Sequence, residues 1–221
     1  MATSSAERRA RRRALDRMHV LQRRERELRD AGVVHVAGVD EVGVGPLAGP
    51  VVAAAVVFDE RCRIAGIDDS KRLGAARRIE LARTIREVAT CWSVFEVAPA
   101  EIDRINIYQA SLEAMRRALL GLRPCPDHVL VDARRIPDLP FPQEPWVRGD
   151  ARCYAIAAAS ILAKTARDER MQRYDVEFPG YGFADHKGYA TAAHRDAIRR
   201  LGPSPIHRRS FVLLPHPSLF D

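Results

Sequence analysis

The chain has 221 residues and a net charge of +7, with 47% hydrophobic and 29% charged residues. That composition fits a globular protein with one sizeable core and excludes low-complexity and collagen-like chains. No apolar run approaches the ~20 residues of a membrane-spanning helix, so no transmembrane segment is expected.

Residues 7–30 hold good helix formers throughout, with Gly32 as a stop. Residues 1–30 carry ten Arg against five Asp or Glu, while the rest of the chain is nearly neutral. Residues 1–32 therefore read as a basic helical extension on a globular domain, 33–221. Two readings of the extension stand. It attracts polyphosphate, or it is a solvated helix face laced with charge pairs. Its first residues are Arg-rich and acid-poor like an organellar transit peptide, but they lack the apolar region of a secretion signal. "VVHVAGVDEV" and "PVVAAAVVF" are β-rich runs. "DDSKRLGAARRIELARTIREVAT" opens with Asp and Ser as cap candidates and has Leu73, Ile79, Leu81, Ile85 and Val88 at helical spacing. "CWSVFEVA" is a third strand. "NIYQASLEAMRRALLGL" is a helix with Ile107, Leu112, Met115 and Leu119 on one side. "DHVLVDA" is a fourth strand and "PWVRGD" a short fifth. "ARCYAIAAASILAKTARDERMQRY" is a long helix rich in small residues, and "TAAHRDAIRRLG" a last one. Two consecutive strands followed by alternating helices and strands predict an α/β fold with a mixed sheet.

Four acids fall where strands end or a helix begins. Asp40 and Glu41 close the first strand, Asp132 closes the fourth, and Asp150 opens the long helix. Strand ends are where an α/β sheet places its sites. Singly, Asp150 reads as a helix cap and Asp132 as the start of a turn. Cys62, Cys91, Cys125 and Cys153 show no zinc spacing and read as reduced thiols of a cytosolic protein. Together the acids therefore favour a hard cation held by oxygens, Mg2+ or Mn2+. Adjacent strand residues point to opposite faces. Asp40 and Glu41 share one site only if the strand bends, or if Glu41 acts through its carbonyl or a water.

Gly43-Val44-Gly45-Pro46-Leu47-Ala48 matches the dinucleotide fingerprint, but a strand follows where that motif needs a helix. The turn reads instead as a side-chain-poor place where a ligand backbone comes close. Of 36 basic residues, 33 are Arg; the Lys residues are Lys71, Lys164 and Lys187. On the long helix, Asp150, Ala157 and Lys164 fall within about 40° of one another, with Ser160 toward the flank. Ser160 and Lys164 could face a phosphate, and Ala157, Ala158 and Ala159 pack on the sheet. In "GYGFADHKGYATAAH", Tyr189 beside Lys187 suits a ring on a base or sugar and a cation on a phosphate. The other reading is a loop tied down by its own tyrosines.

The motifs "AGVDEVGVGPLAGPVVAAAVV", "DDSK", "NIYQASLEAMRRA", "VLVDA", "GDA", "AIAAASILAKTARD" and "YGFADHKGYAT" closely resemble bacterial ribonuclease HII. The resemblance covers about residues 33 to 212 and implies a ribonuclease H-like five-stranded mixed sheet flanked by helices, with C-terminal helices. It implies an endonuclease that cuts the RNA strand of RNA–DNA hybrids and at single ribonucleotides in duplex DNA. Cleavage would fall 5′ of the ribonucleotide and leave 3′-hydroxyl and 5′-phosphate ends. Asp40, Glu41, Asp132 and Asp150 would be its metal-binding acids, with Mg2+ or Mn2+. Gly43, Val44, Gly45, Lys71, Ser160, Lys164 and Tyr189 would contact substrate. A cytoplasmic monomer is expected, with nucleic acid as partner and no membrane. Two departures stand out. The family usually reads Gly-Arg-Gly where this chain has Gly43-Val44-Gly45. It also usually has Gly after the third acid, here Ala133, a mild change unless that turn needs positive φ. The alternatives are a hybrid-binding protein that cuts poorly because of Val44, and another nuclease of the same fold.

Overall fold

The structure, a computed structural model, describes residues 5–68, 70 and 73–214. Lys71 lies outside the described residues. Five strands form one sheet in the order β3-β2-β1-β4-β5. They are β1 (Val36–Val42), β2 (Val51–Val57), β3 (Cys91–Val97), β4 (His128–Asp132) and β5 (Gln143–Trp146). β1 and β2 pair antiparallel, as do β2 and β3, whereas β4 runs parallel to both β1 and β5. The fifth strand begins two residues before the "PWVRGD" segment that suggested it.

The sheet is covered on both faces, which is why β2 reads "VVAAAVV" without polar alternation and is buried throughout. Its side chains alternate between two cores. Ala54 and Val56 join the core beneath α6 (Tyr154–Glu177) and α3 (Ala75–Val88). Val51, Ala53, Ala55 and Val57 join the core beneath α5 (Ile107–Leu120). Small residues set the closeness of α6. A Cβ on Gly38 would stand 2.2 Å from the Ala155 backbone, and Ala157, Ala158 and Ala159 are fully buried. None of the described helices is long and apolar enough to cross a membrane.

Some element boundaries differ from the sequence reading. The helix after "DDSK" starts at Ala75, with Gly74 at its N-cap and no side-chain cap, so neither Asp68 nor Ser70 caps it. α4 (Pro99–Ile105) has proline in its first turn and precedes α5, which Asn106 caps by accepting from the Gln109 N–H. Asp150 does not open the long helix. It sits in a separate 3-10 turn, Gly149–Ala151, and α6 begins at Tyr154. The helical-face alignment of Asp150 with Ala157 and Lys164 therefore does not hold. The "GYGFADHKGYATAAH" segment contains the short α7 (Phe183–His186) and leads into α8 (Ala192–Leu201), capped by Thr191.

At the amino end, α1 (Ser5–Leu21) and α2 (Arg23–Asp30) lie against the domain and bury Met18, Leu21 and Leu28. Glu25 is also buried, and its Oε1 accepts the Ala155 N–H at 2.8 Å. An acid from α2 thus caps the positive end of α6, which favours its negative charge. Burial still raises the Glu25 pKa.

Candidate active site

The β1–β4 register builds the acid pair. Gly38 pairs with Leu130 and Val39 with Val131, so Asp40 and Asp132 follow side by side on neighbouring parallel strands. Both strand ends point the same way, and alternation puts both acids on the α6 face. Glu41 should face the other side. Yet carboxylate oxygens of Asp40, Glu41 and Asp132 lie within 4.8 Å of one another. No bulge interrupts β1 here, because it stays in register with β2 through Val42↔Val52. The described β1–β4 pairing ends at Val39↔Val131, so Glu41 lies beyond it.

Hydrogen bonds fix the acids. Asp40 is 6% exposed, and one of its oxygens accepts the Glu41 N–H at 2.8 Å. Asp132 accepts the Gly149 N–H at 2.7 Å, which ties β4 to the turn holding Asp150, itself 8% exposed. The Asp40 pKa is raised well above the usual carboxylate value. Burial is the largest cause, followed by the charges of Glu41 and Asp132; the hydrogen bond from Ser160 pulls the other way, and Asp150 adds a further charge. Crowded carboxylates around a buried oxygen set of this kind suit a divalent cation, whose charge offsets that repulsion.

Ala133, directly after Asp132, has φ +58. The Arg134 N–H folds back on the Asp132 carbonyl at 2.7 Å, across that single residue. The turn does need positive φ, a conformation that costs a residue with a Cβ roughly 1–2 kcal/mol. Ala133→Gly should therefore raise stability by about 0.5–1 kcal/mol after the added unfolded-state entropy is subtracted. Chemical denaturation measures this, and a destabilised variant would show that the strain is absent.

The glycine turn is held from below by two buried arginines far away in sequence. Arg208 donates from Nε to Gly49 O (3.0 Å), from Nη1 to Val44 O (3.0 Å), and from Nη2 to Gly43 O (2.6 Å) and Gly49 O (2.8 Å). Arg167, on α6, donates to Pro50 O at 3.1 Å and Ala48 O at 3.2 Å. The two glycines differ. Gly43 has φ +90, and a Cβ there would stand 2.3 Å from Arg167 Nε, whereas nothing lies within 4 Å of a Cβ on Gly45. Gly43 is needed by the fold, while Gly45 keeps a surface open.

The other expected substrate residues fall as follows. Ser160 is buried, and its hydroxyl lies 2.8 Å from that of Ser70 while it also bonds Asp40. Its hydroxyl is thus engaged with an acid rather than presented to solvent. Lys164 Nζ donates to Asp168 at 2.5 Å, and Asp168 also takes Arg78 at 3.1 Å. Tyr189 is 44% exposed, close to Arg167, whose guanidinium carbon lies 6.0 Å from the ring centre.

The Tyr189 backbone is positioned by histidines that the sequence reading did not single out. The Ser204 N–H donates to His207 Nδ1 at 2.9 Å, so His207 carries its proton on Nε2 and gives it to His194 Nε2 at 3.0 Å. His194 Nδ1–H then donates to the Tyr189 carbonyl at 2.9 Å. Both rings must be neutral for this relay, and burial lowers the His194 pKa to about 4. His207 also bridges Ala48, so the relay joins Tyr189 to the glycine turn. The loop is tied down by histidines around Phe183 as well as by Tyr181, which donates to the Gly202 carbonyl.

Residues 37–214 match the protein family described as Ribonuclease HII. The chain belongs to the ribonuclease HII family. It is 56% identical over 195 residues to a ribonuclease HII of Anaeromyxobacter sp. (strain Fw109-5), a match covering 88% of this chain and 62% of that relative. It is 54% identical over 196 residues to the ribonuclease HII of Moorella thermoacetica, covering 89% of this chain and 95% of the relative. The ribonuclease H2 from Pyrococcus horikoshii OT3 has the same fold, with a TM-score of 0.71 at 28% identity, over 81% of this chain and 95% of that one. The five-stranded mixed sheet is the ribonuclease H-type sheet that the sequence motifs implied. Members of the ribonuclease HII family are ribonucleases H of type 2, and the strand-end acids lie within the matched region.

Proposed function

We propose that this ribonuclease HII is a divalent-metal-dependent endonuclease acting on RNA–DNA hybrids and on single ribonucleotides in duplex DNA. It cuts 5′ of the ribonucleotide and leaves a 3′-hydroxyl and a 5′-phosphate. The observation that carries this is the meeting of three carboxylates within 4.8 Å at neighbouring strand ends. When bound there, Mg2+ or Mn2+ would supply an activated water and stabilise the leaving 3′ oxygen.

The chain's own residues do the rest. Ser160 and the Glu41 N–H hold Asp40, and the Gly149 N–H holds Asp132, so the acids stay aimed as substrate enters. Arg208 takes the carbonyls of Gly43 and Val44. The groups this turn still offers to a 2′-hydroxyl are then the N–H groups of Val44 and Gly45 and the Gly45 carbonyl, with open space over Gly45. This offer does not depend on the side chain at position 44, which favours catalysis over a binding-only protein despite the missing arginine. The exposed ring of Tyr189 suits stacking on the sugar beside the ribonucleotide, and the Lys164–Asp168 pair lies on the helix that carries Ser160.

The test is cleavage of duplex DNA carrying one ribonucleotide, with Mg2+ or Mn2+. A single cut on the 5′ side, with an all-DNA duplex left intact, is the expected result. An uncut substrate under both metals, from folded protein, sinks the proposal. Equal cutting of the all-DNA duplex would assign another nuclease activity to the fold.

A further inference from the structure

The basic amino-terminal helix has a defined place relative to the acids. α1 and α2 are almost one rod: the Gln22 N–H bonds Met18 O at 2.9 Å and the Arg26 N–H bonds Gln22 O at 3.1 Å across the junction. From the carboxyl end of the rod backwards, its contacts climb along β1. Leu28 packs with Val36 and Leu130, near the start of the strands. Glu25 caps α6 at Ala155, which lies against Gly38. Arg17 Nη2 then reaches Ala151 O at 2.8 Å, next to Asp150, and Asp68 at 3.0 Å, in the loop leading to Ser70. The rod therefore reaches the acid end of the sheet at Arg17, and twelve more residues of α1 continue beyond it.

Among the described side chains, those residues do not form a self-neutralised face. α2 has the charge pairs expected of one, Arg23–Glu27 at 3.7 Å and Arg24–Glu27 at 3.0 Å. On α1, among the described residues, the ion pair is Arg17–Asp68. Arg8, Arg9, Arg12 and Arg13 are exposed and make none with another described side chain, and the exposed Asp16 is paired with neither Arg9 nor Arg13. Helix geometry sorts these four arginines. Arg13 lies one turn beyond Arg17, about 6 Å along the axis and about 40° round; Arg9 follows at about 12 Å and 80°. Arg12 and Arg8 continue the same rotation to about 140° and 180° from Arg17, so they point away from the side that Arg17 docks.

We infer that α1 is a second nucleic-acid contact, in which Arg9 and Arg13 hold backbone phosphates of the duplex flank leading to the acid site. This rests on the nuclease reading above. Arginines about 6 Å apart would meet about every second phosphate of a strand that carries one per ~3.4 Å of axis. The contact carries no sequence information and sets affinity and register.

The test compares two charge-matched variants of the full chain, Arg9→Gln/Arg13→Gln and Arg8→Gln/Arg12→Gln. Binding to a ribonucleotide-containing duplex is followed by fluorescence anisotropy from 50 to 300 mM salt, with EDTA so that no cutting occurs. The first pair should make the slope of log K against log salt shallower by about 1.8, at ~0.9 per phosphate contact. The second pair should change it by less than half as much. Equal changes in both pairs would mean diffuse charge and overturn the inference, as would no change in either. If the unsubstituted chain does not bind the duplex at all, the nuclease reading fails rather than this contact. Unchanged melting temperatures of the two variants show that the helix still docks through Arg17.

Discussion

Asp40→Asn should abolish cleavage while making the metal-free protein more heat-stable. The two effects have one cause. Asp40 is buried, and its carboxylate is opposed by Glu41, Asp132 and Asp150, so folding brings negative charges together out of water. A neutral amide of the same shape removes Asp40's share of that repulsion. Each kcal/mol relieved raises the melting temperature of a chain this size by about 2–4 °C. The cost appears in function. Losing a partner outside a metal's direct ligands costs about 10–100-fold, so losing a carboxylate from the central trio should cost more than ~100-fold. Titration with Mn2+ gives an independent readout, since a ligand bound only by the folded state raises its stability. The melting temperature of the unsubstituted protein should climb with added Mn2+, and that of the variant much less. A variant that keeps its cleavage rate, or that melts earlier than the parent without metal, would remove Asp40 from the centre of the site.

The same acids show how far a sequence alone reaches into this molecule. Asp40, Glu41 and Asp132 were legible because each closes an apolar β run, and a strand end is a local feature. That Asp40 and Asp132 become neighbours is a matter of register between strands some ninety residues apart, which no local pattern carries. How Glu41 joins them was open between a bend, its carbonyl and a water, and the fold brings its carboxylate itself to the other two. Asp150 was placed at a strategic point but on the wrong element, since the intervening residues Arg152 and Cys153 break the helix start and leave a separate 3-10 turn. The buried strand β2 was plain from "VVAAAVV". The supports of the site were not. Arg167, His194, His207 and Arg208 sit in segments whose pattern is ordinary helix or polar loop, and only packing turns them inward. Ala133 lies between these cases: its positive φ was posed by sequence as a question that the backbone answers.

Arg208→Met should be the most destabilising single change near the site. The Arg208 side chain is fully buried with no carboxylate of the described residues within salt-bridge distance, and burial, then the charge of Arg167, lowers its pKa to about 9. Two opposing effects decide the sign. Desolvating a guanidinium costs several kcal/mol, and methionine would recover that. Against it stand four hydrogen bonds to three carbonyls, of Gly43, Val44 and Gly49. Bonds to a charged donor contribute about 1.5–3 kcal/mol each, and a stranded buried carbonyl costs about 1–3. The polar losses win, and a net destabilisation of roughly 3 kcal/mol, or ~6–12 °C in melting temperature, is expected. Arg208→Lys should recover less than half, because a compact ammonium does not span three carbonyls as a planar fork does. The functional consequence follows from what the fork holds. Asp40 and Glu41 lie on β1, which β2 and α6 keep in place, whereas the Gly43–Gly45 backbone loses its main support. Under conditions where the variant is folded, KM for a ribonucleotide-containing duplex should therefore rise more than kcat falls. An unchanged KM with a depressed kcat would mean that Arg208 serves the acids rather than the turn, and an unchanged melting temperature would mean that those carbonyls do not depend on it.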